Sequence, residues 1–476
     1  MPSRTEPQSW RPLALIFIAV AVALRLVALA FDRTDLFVDE VQYWFWGQNL
    51  DFGYYSKPPL IGWLIRLVTD LAGSDAAFWV RMPGAVLHGI TAYLLGALAA
   101  RLFGREAALW TVALYLSLPF VALGSVMIST DTVMAPFYAA ALLFFFRTIE
   151  TRHLRDALAV GVFAGLAFMA KYAAIYFLIG SALVMLTQPG LRPGWRNLAV
   201  MIGGFVVTIL PNVLWNLSHD LTTVSHTMDN AGWVRTGAAF DVGSMAEFFF
   251  SQFGVFGPVT MGALIVAYLR PKRGIHTALV LFSIPALLTV TVQALLEKAY
   301  ANWAIATYFS GLILAVMVLP RLGRWIALGV NLVLSALLPI LIVLAPWPQT
   351  GAGAPLLERY LGRHALSESI LSLAEQEDLP VVSGNRDILA DLFYVGRDSD
   401  VALYALPEVG RLSSYYAQTV ALPATVSGDV LILWSGMPPC EAEELNGLVL
   451  EGLYAGADLS AWRVPAACLL ALGAGE

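Results

Sequence analysis

The sequence predicts a mainly α, polytopic membrane protein of about eleven transmembrane helices that ends in a small α/β domain. Three observations predict it. Of the 476 residues, 58% are hydrophobic and only 13% charged, and the mean hydropathy is +0.71, whereas soluble domains carry roughly 25% charge and about 45–50% apolar residues. Eleven apolar stretches approach the roughly 17–25 helical residues that cross a hydrocarbon core. After the last of them the pattern changes to short runs bounded by turn residues. This composition excludes a water-soluble globular enzyme, a collagen, a disulfide scaffold and a disordered chain. The net charge of −6 gives no case for a nucleic-acid partner, since phosphate backbones are bound by clustered Lys and Arg.

The first span is predicted from Leu13 to Phe31. No small-residue cleavage site follows it, so it reads as an uncleaved anchor rather than a signal peptide. The others fall at 78–100, 107–125, 132–147, 157–170, 172–188, 198–215, 246–269, 275–296, 304–320 and 325–345, the fifth and sixth being one long run split around Lys171. Lys and Arg positions played no part in finding these spans, so they test the topology independently. With the N-terminus in the cytoplasm, fourteen of them fall on the inner side, from Arg4 and Arg11 through Arg101, Arg147, Arg192 and Lys272 to Arg324. Seven fall on the outer side before residue 346: Arg33, Lys57, Arg66, Arg81, Lys171, Arg235 and Lys298. Acids run the other way, four inside and thirteen outside.

An odd number of spans places residues 346–476 outside, with the long loops 32–77 and 216–245. The predicted location is therefore a bacterial inner membrane, N-terminus cytoplasmic and C-terminal domain periplasmic. Two domains are expected: 1–345 in the membrane, with 32–77 as its first outer loop, and 346–476 outside. Within the second, Val381–Ser383, Asp400–Tyr404 and Asp429–Trp434 read as strands and Arg386–Val395 as an amphipathic helix, after a Pro- and Gly-rich stretch at 346–355. The only cysteines, Cys440 and Cys468, lie here. An oxidising compartment permits a disulfide between them; two unpaired buried thiols are the alternative.

Chemistry is sought on the outer face, where the polar material lies. No Gly-rich phosphate loop of the P-loop type is present, and no nucleotide is expected there, so energy for group transfer has to arrive in a lipid-borne donor. The first outer loop carries Asp39-Glu40, Tyr43-Trp44, Tyr54-Tyr55 and Lys57-Pro58-Pro59-Leu60. Adjacent carboxylates just after a span, followed by aromatics, read as a short helix on the membrane surface with an acid pair at its mouth. By spacing alone, a solvated acidic helix start explains the acids equally simply.

This order of residues resembles the first outer loop of GT-C type polyprenyl-phosphate-sugar glycosyltransferases, in particular the bacterial proteins related to protein O-mannosyltransferases and lipid A aminoarabinose transferase. Arg81-Met-Pro, Ser129-Thr-Asp131, Ala170-Lys171-Tyr172, Trp215-Asn216 with His219-Asp220, and Glu297 with Asn302-Trp303 recur in the same order, covering about residues 10–320. The resemblance implies that Asp39 is the general base for an acceptor hydroxyl, with Glu40 or Asp131 orienting the acceptor or holding a metal, and inversion at the anomeric carbon. A covalent sugar on a carboxylate, with retention, is the alternative. It further implies that Lys57 sits by the lipid phosphate, against interfacial snorkelling as the simpler reading. Arg81 and Lys171 either neutralise that phosphate or pair with Asp131. Tyr300 and Asn302 match the family's donor-phosphate loop. Tyr54, Tyr55, His219, His226 and Trp303 are candidate acceptor or sugar contacts, although loop hydrogen bonding explains the histidines and interfacial enrichment explains Trp303.

Ser56 stands where the aminoarabinose transferases have a glutamate implicated in metal binding. The spacing of His219 and His226 is not diagnostic of zinc. A divalent ion between Asp39 and Asp131 is the remaining metal expectation, and no other cofactor is expected. The expected function is transfer of a sugar from a polyprenyl phosphate, among membrane lipids, to lipid A or lipopolysaccharide core; protein O-glycosylation is the next enzyme reading. A lipid-linked-sugar flippase is the rival from another class, but transporters place charge pairs within several spans, and here they gather at one face.

Overall fold

The computed structural model describes residues 10–230, 240–270, 272–347, 349–350, 353–410 and 412–474. Arg4 and Arg235 of the charge distribution lie outside the described residues, as do positions 348, 351 and 352 of the Pro- and Gly-rich stretch. By packing, the chain divides into two units: Met1–Phe31 with Asp51–Ile340, and Asp32–Leu50 with Leu341–Glu476.

All eleven apolar segments are helical, and prolines decide where they break. The helix α1 (Arg11–Ala30) precedes the shorter α2 (Val38–Gln48) and α3 (Leu60–Ala72), and then the long α4 (Ala77–Phe103). The segment at 107–125 forms two helices, α5 (Arg105–Ser117) and α6 (Pro119–Val126), bent by 57°. Leu118 is held extended, at φ −66° and ψ 139°, because the ring of Pro119 disfavours a helical residue before it. Next come α7 (Thr130–Thr151), α8 (Leu154–Ala170), α9 (Ile175–Thr187), α10 (Trp195–Ser218) and α11 (Thr222–Asn230). The segment at 246–269 breaks into α12 (Val242–Phe256) and α13 (Pro258–Leu269), which meet at 114°. Between them Gly257 has φ +83°, and a Cβ there would lie 2.0 Å from Asn331 Oδ1, so both backbone and space require glycine. The series closes with α14 (Ile275–Leu296), α15 (Ala306–Val318) and α16 (Arg321–Val343).

Among the described residues, six helices are long and apolar enough to cross a membrane, and up to eight if each bent pair is one span. The others are shorter: the 13 residues of α15 rise only about 20 Å at ~1.5 Å per residue, against a hydrocarbon core of about 30 Å. The chain is a multi-pass membrane protein. Its innermost long helix is α7, with 78% of its apolar window buried, whereas α1, α10 and α16 bury 22% and turn apolar faces outward, as lipid-facing helices do. At one end of the bundle, Arg101 pairs with Glu150 at 2.6 Å, Arg147 with Asp156 at 3.1 Å and Arg324 with Glu106 at 2.7 Å. All six residues lie in segments that the charge distribution assigns to the cytoplasmic side.

The second unit holds the helices α17 (Arg363–Glu377), α18 (Arg386–Val395), α19 (Tyr415–Thr419) and α20 (Ala466–Ala474) and a five-stranded sheet. Its strands are β1 (Val381–Ser383), β2 (Leu403–Ala405), β3 (Asp429–Trp434), β4 (Glu443–Leu445) and β5 (Ser460–Pro465), in the order β2-β1-β3-β5-β4. The β1 strand pairs parallel with β2 and β3, and β5 runs antiparallel to β3 and β4. Both β1 and β3 start and stop where the short runs bounded by turn residues predict, the strand expected at 400–404 forms over Leu403–Ala405, and β4 and β5 were not expected. Alternation along the strands gives the sheet two apolar faces. Leu431 and Leu433 pack with Leu366, Ile370 and Leu392 of the helices, and Val430 and Ile432 pack with Val464 and Leu469.

Cys440 and Cys468 form a disulfide, with Cα atoms 6.1 Å apart and a sequence separation of 28. Closing a loop of this size restricts the unfolded chain. Replacing both cysteines by serine is expected to lower the stability of this unit by about 3–4 kcal/mol, seen as a lower unfolding temperature of the full-length protein that reductant no longer changes.

The helix α2 belongs to this unit as well, where the sequence placed its aromatics at the membrane surface. They are instead buried by the tail: Phe45 lies 4.6 Å from Phe393 and 5.0 Å from Tyr416 between ring centroids, and Trp44 meets Tyr394 edge-on at 5.0 Å. Aromatic area of this size gains more in a protein core than at a polar interface.

Candidate active site

The adjacent acids of α2 serve different ends, because consecutive helical residues project about 100° apart. Phe37 is extended ahead of the helix, and its N–H donates to Glu40 Oε2 at 2.9 Å. Glu40 is thus buried as the reciprocal half of an N-terminal cap. Asp39 turns the other way, its side chain 48% exposed, and Arg386 Nη2 donates to its Oδ1 at 2.5 Å. Arg386 Nε also donates to Gln42 Oε1 at 2.7 Å, and Gln42 stands three residues after Asp39 on the same face. Arg386 opens α18, whose start is capped by Asn385 Oδ1 accepting from the N–H of Asp387 at 2.8 Å. Burial works against the Arg386 charge, yet Asp39 and then Asp387 outweigh it and hold the guanidinium pKa above its ordinary value.

A second polar group lies in the membrane unit. Asp131 sits in the first turn of α7, which Ser129 caps by accepting from the N–H of Thr132 at 3.3 Å. Lys171, just past the end of α8, donates to Asp131 Oδ2 at 2.7 Å, and Asn302 Nδ2 donates to the same oxygen at 3.0 Å. The Asp131 and Lys171 side chains are 8% and 14% exposed. Of the two readings of Lys171, pairing with Asp131 is the one observed. Among the described residues no three His, Cys, Asp or Glu side chains group to hold a metal. An ammonium already on Asp131 Oδ2 opposes a cation at that oxygen.

The rest of the first loop, residues 51–59, is fastened to α3, α10 and α11. Asn212 Nδ2 donates to the Phe52 carbonyl at 2.7 Å, Thr223 Oγ1 to the Tyr54 carbonyl at 2.6 Å and Trp63 Nε1 to the Asp51 carbonyl at 2.8 Å. Trp215 lies so near Gly53 that a Cβ would come within 2.2 Å of its ring, so only glycine lets the loop approach. Tyr54 is fully buried, its hydroxyl accepting from the Asp51 N–H at 3.1 Å. The Tyr54 N–H donates to the Lys57 carbonyl at 3.3 Å, which fixes the backbone that presents Lys57. Tyr55 packs 4.9 Å from His226. His219 stacks on Trp215 at 4.1 Å with Nδ1 2.8 Å from the Trp215 carbonyl, the loop hydrogen bonding that the simpler reading expects. Arg81 is buried in α4, and Tyr300, 55% exposed, lies 5.5 Å from Trp303 with Lys298 over its ring at 5.2 Å.

The profile of the family described as dolichyl-phosphate-mannose-protein mannosyltransferase matches residues 56–215. The lipid A galacturonosyltransferase RgtD of Rhizobium johnstonii is 43% identical over 458 residues, which cover 94% of this chain and 96% of that protein. The chain belongs to the GT-C type polyprenyl-phosphate-sugar glycosyltransferases.

A second relative of this glycosyltransferase, the lipopolysaccharide core galacturonosyltransferase RgtA of the same organism, is 26% identical over 235 residues, covering 47% of this chain and 46% of that one. The crystal structures of ArnT from Cupriavidus metallidurans share its fold. The apo state gives a TM-score of 0.64 at 14% identity, covering 96% of this chain and 98% of that one. The state bound to undecaprenyl phosphate gives 0.66 at 15%, covering 95% and 98%. Within this GT-C glycosyltransferase, sequence reasoning missed Arg386 and Gln42. The i, i+3 spacing of Asp39 and Gln42 marks a shared helix face, but Arg386 is 347 residues away from Asp39, and only the packing of α18 against α2 joins them.

Proposed function

We propose that this glycosyltransferase moves a uronic acid from a polyprenyl phosphate to lipid A on the outer side of a bacterial inner membrane, with the N-terminus cytoplasmic and the tail periplasmic. Its support is the 43% identity to a lipid A galacturonosyltransferase across nearly the whole of both chains. In this reading Asp39 takes the proton of a lipid A hydroxyl. The hydroxyl oxygen forms its bond to the anomeric carbon as the bond from that carbon to the phosphate oxygen breaks, leaving a polyprenyl phosphate and an inverted glycoside. Lys57 meets the negative charge that grows on the departing phosphate, with Arg81, Tyr300 and Asn302 as further donors to it. Tyr55, His226 and Trp303 are sugar or acceptor contacts.

Protein is the second acceptor reading, favoured by the description of the matching family profile. Purified enzyme given a polyprenyl-phosphate uronate and either lipid A or envelope protein separates the two: labelled lipid A is expected, and label on protein alone contradicts the proposal. In the same assay Lys57→Ala is expected to lower kcat/KM for the donor about 10- to 100-fold, the loss of one charge-assisted contact. Unchanged donor dependence returns Lys57 to interfacial snorkelling.

A further inference from the structure

A uronate differs from a neutral hexose by one full negative charge, and this site must hold that charge beside a catalytic carboxylate. Two carboxylates sharing a small site repel unless a cation lies between them. On the Asp39 face of α2, Arg386 supplies such a cation. Its planar guanidinium suits a carboxylate better than a point charge does, and its side chain is 40% exposed, as Asp39 is 48% exposed, so a ligand can reach both. Behind it, the 2.7 Å bond from Nε to Gln42 and the Asn385-capped start of α18 keep the guanidinium presented when Asp39 moves away. The other charged group on this helix start is Asp387, 43% exposed, which lies 3.8 Å from Arg363.

Resting on the transfer reading above, we propose that Arg386 reads the carboxylate of the uronate donor and takes it in exchange for Asp39. The guanidinium keeps a carboxylate partner throughout, and it stays beside Asp39 to compensate the charge that the uronate adds. The exchange frees Asp39 Oδ1 from its 2.5 Å bond, so that uronate binding leaves the base less tightly held and more basic. A neutral hexose brings no carboxylate to make the exchange, which gives the enzyme its selectivity for acidic sugars.

The test compares two donors on full-length enzyme reconstituted with lipid A: polyprenyl-phosphate galacturonate and its neutral counterpart, polyprenyl-phosphate galactose. The wild type is expected to prefer the uronate by about 100-fold or more in kcat/KM, as a site built around a charged group discriminates against the analogue lacking it. Arg386→Gln is expected to lose about 100-fold more on the uronate than on the hexose, so the ratio of the two collapses, and Arg386→Lys to recover part of that ratio. Equal losses on both donors overturn the proposal, because a residue that only positions Asp39 or supports the fold moves both alike. A wild type that uses both donors equally also overturns it while leaving the transfer reading intact. A wild type that transfers neither sugar removes the transfer reading and the proposal together.

Discussion

Asp39→Asn is expected to cut sugar transfer by about 100- to 10,000-fold, the range a positioned general base supplies, while membrane insertion and donor binding stay near wild type. Asparagine keeps the shape of the side chain and an oxygen for Arg386 but cannot take a proton from a hydroxyl. Because Glu40, not Asp39, caps α2 through the Phe37 N–H, the substitution leaves the helix start intact. Turnover in the variant, measured with labelled donor beside its unfolding temperature, separates lost chemistry from lost structure. Wild-type turnover removes Asp39 as the base.

The second large effect concerns stability. Lys171→Met leaves Asp131, 8% exposed in the membrane unit, without the ammonium that compensates its charge. Breaking a buried pair from one side costs about 3–5 kcal/mol. Asp131→Asn alone strands the lysine instead, and the double variant is expected to be more stable than either single one, because no uncompensated charge remains and the amide can still meet Asn302. Unfolding temperatures of the four proteins in one detergent close the double-mutant cycle. Additive losses show that the 2.7 Å contact contributes nothing, and returns Lys171 to the donor-phosphate role.

What could be read from the sequence was local. Each of the eleven apolar segments found by hydropathy is helical, because a span must satisfy its own backbone within one segment, whereas the shorter apolar helices α3 and α20 were not read. The short apolar runs at Val381–Ser383 and Asp429–Trp434 gave β1 and β3 because each is a buried run bounded by turn residues. Two kinds of feature escaped. Residue pairs such as Leu118-Pro119 and Gly257-Pro258 break helices inside apolar runs that hydropathy averages over, so spans read as single are bent. The strands β4, at the sheet edge, and β5, inside it, carry Glu443, Glu444 and Arg463, polar residues that pattern reading takes for loop. The site divides in the same way. Asp131, Lys171 and Asn302 were singled out separately by motif, and the structure joins them on one oxygen. Arg386 carried no motif, and its meeting with Asp39 exists only because the aromatics of α2 pack into the tail.

Mass spectrometry of lipid A, core oligosaccharide and envelope proteins from cells lacking the gene, complemented with wild type, or complemented with Asp39→Asn, shows whether a carboxylate on α2 drives uronate transfer to lipid A. One uronate-sized increment is expected to disappear from lipid A in the deletion, to return with wild type and to stay absent with the variant. An unchanged lipid A with the increment lost from protein, or restoration by Asp39→Asn, would contradict it.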